Sequence, residues 1–283
     1  MSEWDSWIGR EEKRADRVDP GHAGRWLATL DRQGPADGTV PQGFHFCLCL
    51  PDAPTAQLGI DGHPQRGNSP DSFMPPVPLP RRMWASSKVE FAAPLRLDEA
   101  VERRSRVLSI TAKQGGSGSL VFVEVEHETI GEAGLAVREV QSLVYREAVP
   151  AGSPPAPPPP GEGKFDASTW ETHRAFVPSE ALLFRYSALT FNTHRIHYDR
   201  PYAMDEEGYR GLIVHGPLMA SLLLDLARQK FGDNALKRFA FRAQSPGVCG
   251  EELHLVMRGG GEGIELGAFA SDGRHVLSAT AQV

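Results

Sequence analysis

The chain has 283 residues, 40% of them hydrophobic and 23% charged, which is globular composition and enough length for two cores. A net charge of −6 leaves no electrostatic footprint for nucleic acid or an anionic membrane, so neither is expected as a partner. The N-terminal MSEWDSWIGREEKRADR has no apolar run of signal-peptide length, and no segment is apolar for long enough to cross a bilayer.

Residues 1–33 read as helical: Asp19 can cap, Pro20 suits the first helical position, and Trp26, Leu27 and Leu30 form an apolar stripe. Phe44 to Leu50 (FHFCLCL) reads as a buried strand stopped by Pro51. Cys47, Cys49 and Cys249 are odd in number, and Cys47 and Cys49 would share one strand face. The pattern fits core thiols in a reduced, cytoplasmic setting better than a disulfide or a metal site. From Pro51 to Pro80 the chain is rich in Gly, Pro, Asn and Asp, so a long surface excursion is expected.

Four strand signals follow: Trp84 to Phe91, Glu102 to Ala112, Leu120 to Ile130 and Leu135 to Tyr145. A turn at Gly115-Gly116-Ser117-Gly118-Ser119 separates the second from the third. Ser153 to Gly163 (SPPAPPPPGEG) is a semi-rigid proline-rich linker that cannot enter a sheet. It divides the chain into an N-terminal domain at 1–150, a linker at 151–164 and a C-terminal domain at 165–283.

In the second half, Pro178 and Ser179 open a short helix, Glu180 to Ser187. A second helix runs from Pro217 to about Phe231, stopped by Gly232-Asp233-Asn234. Strands are expected at Arg238–Ala243, Glu252–Arg258, Ile264–Ala270 and His275–Val283. Both halves thus share an order of helix then long hairpins, an α+β plan in which a sheet wraps a helix.

The chemistry concentrates in RYSALTFNTHRIHYDRPYAMDEEGYRGLIVHGPLMA, from Arg185 to Ala220. His197 can serve as general base or acid because its ordinary pKa lies near neutrality. Asn192 can hold a water or a carbonyl oxygen, and equally suits a turn cap after Thr190. The Gly216 N–H, at the start of the Pro217 helix, can stabilise an enolate-like oxygen. Arg185, Arg195, Arg200 and Arg210 can meet carboxylate or phosphate groups, or simply stay solvated. Leu218, Met219, Leu222, Leu223 and Leu226 form a core stripe.

These residues carry a resemblance. The stretch is similar to the hydratase-2 motif of MaoC-like enzymes, Asp-x-Asn-Pro-Leu/Ile-His-x-Asp followed by Ile-Val-His-Gly at the entry to a central helix. Ile196, His197 and Asp199 match the second half of the motif, and Ile213 to Gly216 match the helix entry. Asn192, His194 and Arg195 stand where the motif has Asp, Asn and Pro. The wording Thr-Phe-Asn-x-His-Arg-Ile-His-Tyr-Asp resembles the branch of mesaconyl-C4-CoA and itaconyl-CoA hydratases and type 2 hydroxyacyl-thioester dehydratases.

The resemblance implies a double hot-dog fold, two antiparallel sheets each wrapping a central helix, with a degenerate N-terminal half. It implies a hydro-lyase that reversibly hydrates a short 2-enoyl-CoA, of C4–C5 dicarboxylic type. A 3-hydroxyacyl-ACP dehydratase and an inactive acyl-CoA binding module are the alternatives. His197, Asn192 and Gly216 are the implied catalytic residues, and Arg195, His194, Asp199 and His215 the implied substrate-binding ones. Arg195 would pair with a terminal carboxylate of the acyl group. No metal or cofactor is implied beyond the CoA thioester as substrate. The first half has no His-x-Asp or Val-His-Gly counterpart, so one active site per chain is expected, in a monomer or homodimer of double hot-dogs.

Overall fold

The computed structural model describes residues 4–67, 71–115, 118–150, 152–260 and 263–283. Its strands are β1 (Glu11–Arg17), β2 (Arg81–Phe91), β3 (Ala100–Gly115), β4 (Gly118–Gly131), β5 (Gly134–Arg146), β6 (Thr172–Phe176), β7 (Arg238–Ala243), β8 (Leu253–Gly260), β9 (Gly263–Ala270) and β10 (His275–Gln282). Four α-helices accompany them: α1 (Pro20–Thr29), α2 (Glu180–Leu189), α3 (Arg200–Asp205) and α4 (Gly216–Phe231).

The strand order is β1-β3-β4-β5-β2-β7-β10-β9-β8-β6, antiparallel throughout. The second half mirrors the first, with β6 to β10 in the places of β1 to β5. The two sheets anticipated from the sequence therefore share an edge. β2 pairs with its counterpart β7 from Ser86↔Arg242 to Glu90↔Arg238, making one continuous ten-stranded sheet. Pairing the inner edges satisfies backbone groups that two separate sheets would leave open.

The alternating runs fold as expected. Val121, Val123 and Val125 of β4 point to a buried side, while Glu124 is exposed. Asp19 caps α1 by accepting from the His22 N–H at 2.6 Å, and Ser179 caps α2 by accepting from the Leu182 N–H at 3.2 Å. Gly232, at φ 96°, ends α4. The proline-rich segment between β5 and β6 is held to the second half: the Ala156 N–H donates to Gly208 O at 2.8 Å and the Gly161 N–H to Asp272 Oδ2 at 3.0 Å. Residues 116 and 117 of the expected hairpin turn lie outside the described residues.

Two expectations give way. Glu11–Arg17 is an edge strand, not helix; its charged residues favour helix locally, but antiparallel pairing with β3 from Glu11↔Arg106 to Arg17↔Ala100 decides the conformation. The other edge, β6, has equally little apolar alternation and gave no strand signal. Phe44–Leu50 is not a strand either. Gly43 at φ 101° and Cys49 at φ 51° turn the chain at both ends, and Phe44–Cys47 forms a buried 3-10 turn. Its side chains fill the space beside α1 and the seam: Trp26 packs edge-on to Phe44 at 5.9 Å, and Phe46 edge-on to Trp84 at 5.4 Å.

Helix α4 is the centre of the core. Leu218, Leu223, Leu226 and Ala227 are completely buried or nearly so, packed over β8, β9 and β10. Its one buried acid, Asp225, accepts from Arg174 of β6 at 3.0 Å and Arg228 at 3.0 Å, and pairs with Arg32 at 3.4 Å. Arg32 follows α1 and its side chain is only 3% exposed, so this carboxylate ties the two halves together at depth. Asp225→Ala should destabilise the chain by about 3–5 kcal/mol, because it strands a buried guanidinium. Chemical denaturation checks this, and a loss under about 1 kcal/mol would show the network to be dispensable.

Candidate active site

The polar stretch between α2 and α4 forms a tight loop stitched to the helix entry. Ile213 donates its N–H to Ile196 O at 2.9 Å, and Val214 donates to Gly247 O at 2.9 Å. His197 lies in the 3-10 turn Arg195–His197, and its Nδ1–H donates to the Ile213 carbonyl at 2.7 Å. That bond sets the tautomer and leaves Nε2 as a bare acceptor, the form a general base requires. Burial pulls its pKa down to about 4, partly opposed by the Ile213 bond, so the ring is neutral near pH 7.

His215 stacks on His197 with ring centroids 3.6 Å apart and planes 20° apart. At 1% exposure it lies beneath His197, and its Nε2 meets Ser187 Oγ at 2.8 Å. His215 is therefore packed against His197 and buried away from solvent. The next residue, Gly216, opens α4 half-exposed, with Pro217 behind it contributing no donor. Apart from its chain neighbours and its own helix, no atom lies within 4 Å of where a Gly216 Cβ would stand, so the helix N-terminus is open on that side.

Asn192 caps its own turn. Its Oδ1 accepts from the His194 N–H at 2.9 Å, as the turn-cap reading allows. Arg195 and Asp199 pair with each other at 2.7 Å. Asp199 also caps α3 through the Tyr202 N–H at 3.2 Å, and Arg195 donates to Ile60 O at 3.0 Å. The Arg195 guanidinium is thus engaged within the loop and with the excursion before β2. Arg200 pairs with Glu180 and Arg210 with Glu251. His194 does face the site, its ring 5.6 Å from that of His197 and perpendicular to it.

The structure adds three residues that motif reading missed, all from the first half. The excursion before β2 docks on the loop so closely that a Cβ on Gly62 would lie 1.9 Å from Thr193 O. Thr193 Oγ1 donates to Gly62 O at 2.5 Å, and the Arg195 N–H donates to Asp61 O at 2.9 Å. This brings the His63 ring 4.1 Å from His194, with His63 Nδ1 3.1 Å from Asp61 Oδ2. Arg82 of β2 lies near enough for its charge to lower the pKa values of His63, His194 and Asp61, and it has no ion pair or hydrogen bond among the described residues. The only sequence signal for this group is an acid and a histidine flanking a glycine in a polar excursion. An open cleft of about 820 Å³, lined by Lys13, Arg14, His22, Leu189 and Phe191 among others, ends one residue before Asn192.

Burial keeps imidazoles dry both at the site and in the first half of the chain, where His45 and His127 lie. Burial is the leading cause that lowers His45 and His127 to about 3 and His197 to about 4, and it pushes His63, His194 and His215 down as well. Unfolded, each would titrate near 6.5, so the unfolded chain binds more protons and stability falls as pH drops below that value. Glu139 acts in the opposite sense: burial raises it to about 7 from 4.5, so its contribution grows as pH falls through that window. Six histidines outweigh one carboxyl. The melting temperature should therefore fall by roughly 10 °C between pH 7 and pH 5. Calorimetry across that range checks it, and a flat or rising profile contradicts it.

A family model described as hydroxyacyl-thioester dehydratase type 2 matches residues 43–249. The chain is 43% identical to a mesaconyl-C4-CoA hydratase of Chloroflexus aurantiacus, over 100% of this chain and 98% of that protein. Among solved structures, HtdX of Mycobacterium tuberculosis superposes with a TM-score of 0.69 at 18% identity, covering 96% of this chain and 99% of that one. Another M. tuberculosis protein, described as a double hot-dog, superposes with a TM-score of 0.59 at 13% identity, covering 97% and 95%. The mirrored five-strand halves are that fold.

Proposed function

This chain belongs to the hydroxyacyl-thioester dehydratase type 2 family, and we propose that it reversibly hydrates a short, branched dicarboxylic 2-enoyl-CoA of the mesaconyl-C4 type. It is a hydro-lyase. One observation carries the site assignment: His197 presents a bare Nε2 and stacks on His215, the residue that leads into Gly216 at the start of a sixteen-residue helix.

The thioester carbonyl accepts from the Gly216 N–H, and the positive end of α4 stabilises the enolate oxygen that develops there. His197 Nε2 takes a proton from water as the water oxygen bonds to Cβ. In the dehydrating direction it takes the Cα proton instead. The Ile213 carbonyl keeps the ring in the required tautomer and accepts more strongly as the ring gains charge. No further cofactor is needed. The fused halves already supply the pairing that single hot-dogs obtain by dimerising, so a monomer or a dimer of double domains suits the fold. The buried free thiols of Cys47, Cys49 and Cys249 suit a reducing, cytoplasmic setting.

The acyl carboxylate requires a cation. Arg195 is engaged by Asp199, whereas Arg82 stands beside the histidines without a partner among the described residues, which supports Arg82 as its reader. Two measurements follow, both on loss of enoyl-thioester absorbance. His197→Ala should lower kcat with mesaconyl-C4-CoA by about a thousandfold; full activity would make His197 a structural residue. Arg82→Ala should cost mesaconyl-C4-CoA about 100-fold more in kcat/KM than it costs crotonyl-CoA. Equal losses on both thioesters would remove Arg82 from acyl recognition.

A further inference from the structure

The acid–base site described so far is short of one group. Asn192 occupies the position where the motif carries a carboxylate, cannot exchange a proton, and uses its oxygen on the His194 N–H. Against His194 packs a pair from the other half of the chain. His63 Nδ1 lies 3.1 Å from Asp61 Oδ2, and its ring centroid is 4.1 Å from that of His194. With Nδ1–H given to Asp61, His63 Nε2 is bare, and it has no hydrogen-bond partner among the described residues. The rings of His63 and His197 both pack against His194, and His63 lies near enough to His197 for its charge to lower the pKa there. Water has two O–H donors, and two such acceptors orient it completely.

The pair is also firmly placed. Arg195 holds Ile60 O and Asp61 O, Thr193 holds Gly62 O, and Asp61 Oδ1 accepts from the His63 N–H at 3.0 Å. Donor atoms of Asp61, His63 and His194 lie within 4.8 Å of one another, a spacing a cation could use. The Arg82 guanidinium beside all three repels a cation, and Asp61 is already engaged by His63.

We propose that His63, fixed by Asp61, is the second half of the acid–base site and holds the water that His197 deprotonates. The assignment rests on the hydratase reading above and names who does the work a carboxylate at position 192 would do. One water O–H breaks as its proton moves to His197 Nε2 and the oxygen bonds to Cβ. The Cα=Cβ electron pair shifts to the thioester oxygen as an enolate at the Gly216 N–H. His197 then returns that proton to Cα as the carbonyl reforms, so both histidines end neutral. The second O–H stays intact throughout and donates to His63 Nε2. Asp61 is a positioning residue: it fixes the tautomer and makes Nε2 a stronger acceptor.

The test compares the full-length wild type with His63→Leu, His63→Gln and Asp61→Asn on mesaconyl-C4-CoA and crotonyl-CoA. His63→Leu should lower kcat about 100-fold on both with KM within about threefold, and added imidazole should restore part of the rate. His63→Gln, whose carbonyl can accept from water, should keep roughly a tenth of the activity. Asp61→Asn should lose about tenfold in kcat, because an amide no longer enforces the tautomer. With an active wild type, a kcat for His63→Leu within threefold of normal, or a loss confined to KM, overturns the proposal. Should His63→Leu fail to fold, wild-type rates in both His63→Gln and Asp61→Asn overturn it instead. Activity lost to a chelator and restored by zinc would assign the triad to a metal and also overturn it. A wild type inactive on every thioester is a separate outcome, which removes the hydratase reading together with this one.

Discussion

The site depends on the antiparallel pairing of β2 with β7, the seam that makes ten strands one sheet. That seam sets the excursion leading into β2 against the loop leading into α4. Gly62 and Thr193 are 131 residues apart in sequence, and the fold brings them into hydrogen-bonding contact. The same junction explains the buried Asp225, which pairs with arginines from both halves in a region too dry to leave a charge alone.

Desolvation is the second organising force. His45, His63, His127, His194, His197 and His215 are all held toward the neutral form, and for each the leading cause is burial. Neutral imidazoles are poor ion-pair partners but good acceptors, which suits a reaction that moves one proton over a short path. Midway along α4, Asp225 shows the complementary choice: a carboxylate satisfied by guanidinium groups.

Most of the strands were legible because their alternation is a local property; β3, β4 and β5 overlap the sequence-based spans, each running a residue or a few longer. The edge strands β1 and β6 were not, because an edge needs charge more than alternation and its conformation comes from its neighbour. Phe44–Cys47 was misread for a related reason: a continuous apolar run says buried but not extended, and the left-handed residues at 43 and 49 decide its path.

At the site the division is equally physical. By itself the sequence grouped His197, the Ile213–Gly216 helix entry and the α4 core stripe, because the resemblance to the hydratase motif spans His197 and the helix entry and the apolar stripe continues from it. It also determined the kinship that names the reaction class. Only the tertiary structure decided what each charged neighbour does. Arg195 braces the loop through Asp199, Asn192 caps a turn, and His215 lies under the base, while Asp61, His63 and Arg82 arrive from the other half. No local pattern records those last three, because their proximity is created by strand pairing far along the chain and by a glycine that lets two backbones touch.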